Sequence, residues 1–359
     1  MKGLLWPFLF TCPMFTETAR TDSDDSAKEA VNRAVHLLQA GEIVALPTET
    51  VYGLAADALN PAAVAKIFEA KERPAFDPLI VHLPHRRWLD EVAAVPADIA
   101  EVVAKLAEAF WPGPLTLVLP KTDRIPDIVT AGLPTVAVRV SADPIFRKVV
   151  RALDRPIAAP SANRFGRMSP TSAAAVRDEL DGRIPLIVDG GASACGLEST
   201  ILRIEAAEPK PRFHILRAGP ITADQLKPFG KIAKERRNEA VENNAPEAPG
   251  MLASHYAPTK PLRLLGSPDS FRPDPEKRYA LMSYRGDAED GYLSLAEWTQ
   301  VAVLSPGSGK LPEAGVRFFH LLRQLDRDKV ADEIIAEPVP DRGVGAAIMD
   351  RLRKASTKF

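Results

Sequence analysis

Residues 43–83 read IVALPTETVYGLAADALNPAAVAKIFEAKERPAFDPLIVHL, and the alternation within this stretch decides the fold class. Ile43, Val44, Ala45 and Leu46 form a short apolar run. Pro47 stops it, because proline has no N–H to extend a ladder. Thr48, Glu49 and Thr50 then crowd three polar side chains where the chain leaves the sheet, the edge at which α/β folds bind ligands. Asn60-Pro61 supplies a cap followed by proline at the first helical position. The helix it opens carries Val64, Ile67 and Phe68 on one face and ends in Lys71-Glu72-Arg73-Pro74. Residues 78–83 return to a buried strand.

Working outward, the spacing of apolar residues predicts helices over 26–40, 97–110, 143–153 and from Ser169-Pro170-Thr171 to residue 180, with Ser169 as N-cap. Gly41 sits where a C′ residue belongs. Strands are expected over 115–119, 135–140, 157–159, 186–188, 200–204 and 213–216. Composition shifts near residue 231, and 231–244 read as a charged linker. Residues 248–258 carry hydrophobic anchors that an inert linker would not need. Beyond 261, apolar runs at 262–265, 279–282 and 301–304 alternate with helical patterns near 315–325 and 344–353, which predicts a smaller second α/β domain. The expected organisation is an N-terminal extension over 1–25, a main domain over 26–219, a linker or lid over 220–258 and a C-terminal domain over 259–359.

At 359 residues the chain is long enough for two cores. A formal charge of −1 exerts no bulk pull on nucleic acid or membrane, so phosphate recognition must come from a local cluster. Cys12 and Cys195 are the only cysteines. They exclude a disulfide framework or a zinc ribbon and suit a reducing, cytoplasmic setting. Residues 1–10 (MKGLLWPFLF) resemble a weak signal peptide broken by Pro7. Met14 is a natural start for a cytoplasmic protein, so the first 13 residues are expected to be dispensable or untranslated. No apolar run approaches the roughly 20 residues of a membrane span.

Several motifs fail on inspection. Residues 305–311 (SPGSGKL) look like a phosphate loop but lack its first glycine and its Ser/Thr. His82-Leu-Pro-His85 has no cysteine or carboxylate cluster beside it to complete a metal site. What remains is a scattered set of hydroxyls and cations at strand ends. Lys71 and Arg73, taken alone, read most simply as a solvated helix C-terminus. Arg139 interrupts an apolar strand and needs an anionic partner, either a structural carboxylate or that of a ligand. Ser161, Asn163 and Ser169 fit turns and caps as well as ligand contacts.

Taken together these residues resemble a family. PTETVYG at 47–53, K-x-R-P at 71–74, PLIVH at 78–82, WPGPLT at 111–116, APSAN at 159–163 and GLEST at 196–200 look like the YrdC-like threonylcarbamoyl-AMP synthases. PGMxxxHY at 249–256 and AEPVP at 336–340 resemble the linker and extra domain of the long, two-domain form. The resemblance implies a twisted α/β domain with a positively lined cavity plus a smaller C-terminal α/β, Rossmann-like domain. It implies synthesis of L-threonylcarbamoyl-AMP from L-threonine, bicarbonate and ATP, with Mg2+ accompanying ATP and a tRNA threonylcarbamoyl transferase downstream. Carried over residue by residue, Thr50, His82, Arg139, Ala159 and Ser199 fall at threonine-binding positions. Lys71, Arg73, Ser161 and Asn163 fall in the catalytic nucleotide group, and Asp77, Thr135, Ser169, Arg217 and Tyr256 at further ATP positions.

One departure is Asp77, where many relatives carry asparagine. A carboxylate there would repel phosphates unless magnesium or Arg73 neutralised it. Glu198 is an expected outer magnesium ligand, and residues 248–258, with Met251, Leu252 and Tyr256, are expected to cover the cavity and exclude water from the reactive product. The alternatives are a double-stranded RNA-binding module, for which weak RNA binding would be expected, and a carbamoyl-transfer enzyme of the same fold.

Overall fold

The structure, a computed structural model, describes residues 15–233, 246–251 and 256–357. Expectations about residues 1–13, most of the charged linker, Leu252 and His255 lie outside the described residues. The first half contains β1 (Glu17–Arg20), α1 (Asp24–Gln39), β2 (Val44–Leu46), β3 (Gly53–Asp57), α2 (Pro61–Lys71), β4 (Ile80–His82), α3 (Leu89–Val92), α4 (Ala100–Phe110) and β5 (Leu115–Pro120). It continues through α5 (Asp127–Thr130), β6 (Thr135–Arg139), α6 (Pro144–Leu153), β7 (Ile157–Ala158), α7 (Ala173–Leu180), β8 (Leu186–Asp189), β9 (Thr200–Glu205), β10 (Arg212–Arg217), α8 (Ala223–Leu226) and β11 (Lys231–Ile232). These strands form one mixed sheet of 11 in the order β1-β8-β2-β3-β7-β4-β6-β5-β9-β10-β11.

The pleat sends alternate residues to opposite faces. Ala45 joins the core under α2 and α4, whereas Val44 and Leu46 join the core under α1 and α6. The helix at the centre of the opening stretch forms for local reasons. Asn60 Oδ1 accepts from the N–H groups of Ala62 and Ala63, Pro61 occupies the first turn, and Glu72 ends the helix in the left-handed region at φ 53°.

The second domain holds β12 (Leu262–Leu264), β13 (Tyr279–Ser283), β14 (Trp298–Val303), α9 (Leu311–Asp326), β15 (Glu333–Ala336) and α10 (Val344–Ser356). Its four strands are all parallel, in the order β12-β15-β13-β14. The fold class is the expected one: a large twisted mixed sheet with a smaller parallel α/β domain. The core of the second domain does not stop at the boundary, because Val51, Met168, Leu197 and Tyr256 pack into it.

Four segments differ from expectation. Residues 17–20, assigned to an N-terminal extension outside the main domain, pair in parallel with β8, and Thr16 Oγ1 donates to Ile184 O at 2.6 Å. Residues 53–57 form a fully buried strand antiparallel to β2, although GLAAD has little β propensity. The N-cap of α7 is Ser172 rather than Ser169. Lys231 and Ile232, assigned to the linker, close the sheet beside β10.

Candidate functional site

The cavity opens where several strand ends meet. Strands β4 and β6 run parallel with His82 opposite Arg139, so these side chains leave the sheet together. Antiparallel β7 brings Ala159 beside Ile80, with Ala159 N donating to Ile80 O at 2.9 Å, and Ser161 bridges to Gly53. Thr50, Arg73, His82, Arg139, Ala159, Ser161, Ser199, Arg217 and Tyr256 all line this cavity. The chain brings them together from eight separate places, Ala159 and Ser161 sharing one loop.

One end is built around Arg139. Its Nε donates to Gly113 O at 3.2 Å, its Nη1 to Thr50 Oγ1 at 3.0 Å, and its Nη2 lies 2.6 Å from Glu49 Oε1. The anionic partner that this buried arginine requires is therefore within the chain. Burial pushes the Glu49 carboxyl up, but Arg139 and the Ser141 hydroxyl, donating at 2.5 Å, outweigh it and hold it down at about 2. Glu49 was not singled out from sequence. Its signal was its place between Thr48 and Thr50, opposite an arginine strand end. His82 is pulled down to about 3 by burial and then by the Arg139 charge, so its imidazole is neutral. Its ring packs 4.7 Å from that of Phe146, and its Nδ1 has no hydrogen-bond partner among the described residues.

The other end is richer in cations. Arg73 donates from Nε to Asp77 O at 3.1 Å and from Nη2 to Pro78 O at 2.9 Å, and the same Nη2 lies 2.9 Å from Asp77 Oδ2. Asp77 is completely buried, with burial pushing its carboxyl up and Arg73 opposing. Arg73 is one of the two means by which its charge was expected to be neutralised. Arg217 donates from Nε to Ser199 O at 3.0 Å, from Nη2 to Ser199 Oγ at 2.9 Å and from Nη1 to Pro249 O at 3.3 Å. Among the described residues it has no carboxylate within salt-bridge distance.

Other predicted residues stand back from the wall. Lys71 is buried behind it, and its Nζ donates to Ser161 O at 2.5 Å and to Asn163 O. Burial, then the charge of Arg73, depresses its pKa well below that of an ordinary lysine. Asn163 Nδ2 donates to Arg164 O and Arg167 O at 2.7 and 2.8 Å, which folds the loop that presents Ser161. Ser169 donates its hydroxyl to Glu198 Oε1, a long-range bond that a cap reading could not reveal. Thr135 lies at the opposite end of β6 from Arg139, about 13 Å away along the strand, and is not in the wall.

Pro249, Gly250 and Tyr256 line the cavity, so part of the segment expected to cover it is folded against it. Gly250 has φ +81°, and a Cβ there would lie 2.5 Å from Tyr256 Oη, so only glycine fits. Glu198, expected as an outer magnesium ligand, has both oxygens bonded: Oε1 by Ser169 and Oε2 by Arg351. Among the described residues no group of three His, Cys, Asp or Glu could hold a metal, and no helix is long and apolar enough to cross a membrane.

Known proteins share this arrangement. Residues 36–219 match the Sua5/YciO/YrdC family model, described as "Telomere recombination", and residues 221–357 match one described as the C-terminal domain of threonylcarbamoyl-AMP synthase. The threonylcarbamoyl-AMP synthase of Pyrococcus abyssi is 40% identical over 325 residues, covering 90% of this chain and 93% of that protein. That of Bacillus subtilis is 41% identical over 344 residues, covering 94% and 95%. A crystal structure of P. abyssi Sua5 complexed with L-threonine aligns with TM-score 0.79 and 35% identity over 96% of this chain and 98% of that one.

Proposed function

This chain belongs to the threonylcarbamoyl-AMP synthase family, and from that membership we propose that it joins L-threonine, bicarbonate and ATP into L-threonylcarbamoyl-AMP with release of pyrophosphate. The observation that carries the reading is the split cavity. Arg139 and Thr50 form one anion-binding end, and Arg73 and Arg217 form another. The carboxylate of an amino acid and the phosphates of a nucleotide are received at the two ends, and the reacting atoms meet between them.

Each end suits its substrate. Glu49 and the Gly113 carbonyl aim the Arg139 fork at a carboxylate, which a lysine could not grip in two places. A neutral His82 adds no charge beside the amino group and offers it Nδ1, which has no hydrogen-bond partner among the described residues. The threonine amine attacks the bicarbonate carbon, and water leaves to give a carbamate. A carbamate oxygen then attacks the α-phosphorus, and the bond from that phosphorus to the β-phosphate bridging oxygen breaks. Pyrophosphate departs, making this a nucleotidyl transfer. Such transfers depend on positioning and charge stabilisation, so no side-chain nucleophile is needed. Arg217, buried with no carboxylate in salt-bridge range among the described residues, offsets the charge that develops on the leaving group.

The carboxylates around the cavity are tied to arginines: Glu49 to Arg139, Asp77 to Arg73 and Glu198 to Arg351. This donor set fits magnesium held by phosphate oxygens and water rather than by a protein cage. When bound, the ion would neutralise phosphate charge. The product serves tRNA modification through a downstream threonylcarbamoyl transferase, in a cytoplasmic setting. No feature favours the RNA-binding or carbamoyl-transfer alternatives. Pyrophosphate release should require all three substrates; release that persists without threonine would overturn the reading.

A further inference from the structure

The last helix of the second domain reaches the wall of the first domain's cavity. Arg351 on α10 is completely buried and is the largest such side chain described. Its Nε and Nη2 donate to Glu198 Oε2 at 3.2 and 3.1 Å, and its Nη1 donates to Ala218 O at 2.5 Å. Its guanidinium carbon lies 5.4 Å from the ring centroid of Tyr256. One turn later, Lys354 Nζ donates to Gly250 O at 2.7 Å. Glu198, Tyr256 and Gly250 all line the cavity, while Arg351 does not.

A buried interface arginine needs compensating acceptors, and any interface carboxylate would supply them. The one used here precedes Ser199, whose carbonyl and hydroxyl receive Arg217. We propose that Arg351 is a positioning residue of the synthase: it holds Glu198 and Tyr256 in the nucleotide-side wall, so that the second domain completes the ATP site. The inference rests on the reaction proposed above. It assigns no such role on the threonine side, where Thr50, His82 and Arg139 are carried by the first domain and Ser199, although it adjoins Glu198, is also held by Thr116 Oγ1 of that domain at 2.8 Å.

The test compares two binding constants in the full-length chain. Calorimetry would measure L-threonine and α,β-methylene-ATP separately, alongside pyrophosphate release. Arg351→Met should weaken the nucleotide analogue about tenfold, as indirect couplings do, raise the KM for ATP in step, and leave threonine affinity within about twofold. A merely structural role would move both constants together. Glu198→Gln in the Arg351→Met background removes the stranded charge and should restore part of the nucleotide affinity. If the methionine variant does not fold, Arg351→Lys keeps the charge but not the fork and should show the same split. Arg353→Ala, on the solvent side of the same helix beside Asp341, should change neither constant. Equal losses for both ligands, no loss for either, or no recovery with Glu198→Gln would overturn the proposal. A wild-type chain that binds both ligands but releases no pyrophosphate would overturn the proposed reaction instead.

Discussion

The two ends of the cavity solve the problem of buried positive charge differently. At the proposed threonine end Arg139 is matched by Glu49; the adjoining strands β4 and β6 carry His82 and Arg139 at their ends, and the turn between β2 and β3 of the same sheet supplies Thr50. At the nucleotide end Lys71 gives its donors to backbone carbonyls and Arg217 to Ser199 and Pro249, with no carboxylate in ion-pair range among the described residues. The first end is self-contained. The second has positive charge in excess and draws on Tyr256 and α10 to complete its wall. An amino acid brings one carboxylate and one amine, whereas a nucleoside triphosphate brings several negative charges, so the excess lies where the larger anionic load would sit.

The sharpest test of this contrast is the one nucleotide-side cation that does have a carboxylate. Asp77→Ala would leave Arg73 buried without its partner, and stranding a buried charge costs about 3–5 kcal/mol. Denaturant unfolding should show a loss of that size. Asp77→Asn, which keeps an acceptor oxygen, should lose less. A change below about 1 kcal/mol for the alanine variant would mean that Arg73 readily finds water or another acceptor, and the nucleotide end would then be less enclosed than the structure has it.

The complementary experiment is on the self-contained end. Arg139→Ala removes the fork and strands Glu49, and losses of about 2–5 kcal/mol accompany truncation of one member of a buried charged pair. Threonine affinity measured by calorimetry should fall by at least about thirtyfold, while binding of an ATP analogue should change by less than about threefold. Comparable losses for both ligands would show that the two ends are not separable.

How much of this was legible in the chain follows from the range of the interactions. The helix after Asn60-Pro61 and the polar turn at Thr48–Thr50 are local, set by a cap, a proline and an apolar period, and they stand where the sequence puts them. Arg139 announced its need for an anion, but the partner sits 90 positions earlier, in a turn that periodicity cannot connect to it. The Gly53–Asp57 and Glu17–Arg20 strands are held by pairing to distant strands rather than by their own propensity. Ser169 looked like a cap because Pro170 follows it, yet its hydroxyl bonds Glu198 across the fold. Arg351 carried no local signal, since an arginine on an amphipathic terminal helix reads as surface charge until the domain interface buries it.

A smaller effect distinguishes the ends by pH. Glu49 is held at about 2 in the fold against 4.5 for a free carboxyl. The stability it contributes is present above about 4.5 and is lost as pH falls toward 2. His82, at about 3 against 6.5, follows the same sign. The unfolded chain binds the proton more readily, so stability is full above about 6.5 and erodes as pH falls toward 3. Asp143, the cap of α6 near Glu49, runs the other way. Burial pushes its carboxyl up to about 6 from 3.8, so its contribution is present below about 3.8 and is lost as pH rises through 6. All three windows overlap between about pH 3.8 and 4.5, and those of His82 and Asp143 continue to overlap up to about 6, so the wild-type curve alone cannot separate them. Subtraction can. The difference in unfolding free energy between wild type and His82→Gln cancels Asp143 and Glu49 to first order, and it should be constant above about pH 6.5. Below that it should change by up to about 1.4 kcal/mol per pH unit, in favour of the variant, because one proton is linked. A flat difference down to pH 4 would mean that the imidazole titrates alike in both states, and the threonine end would then be open to water rather than sealed around a neutral histidine.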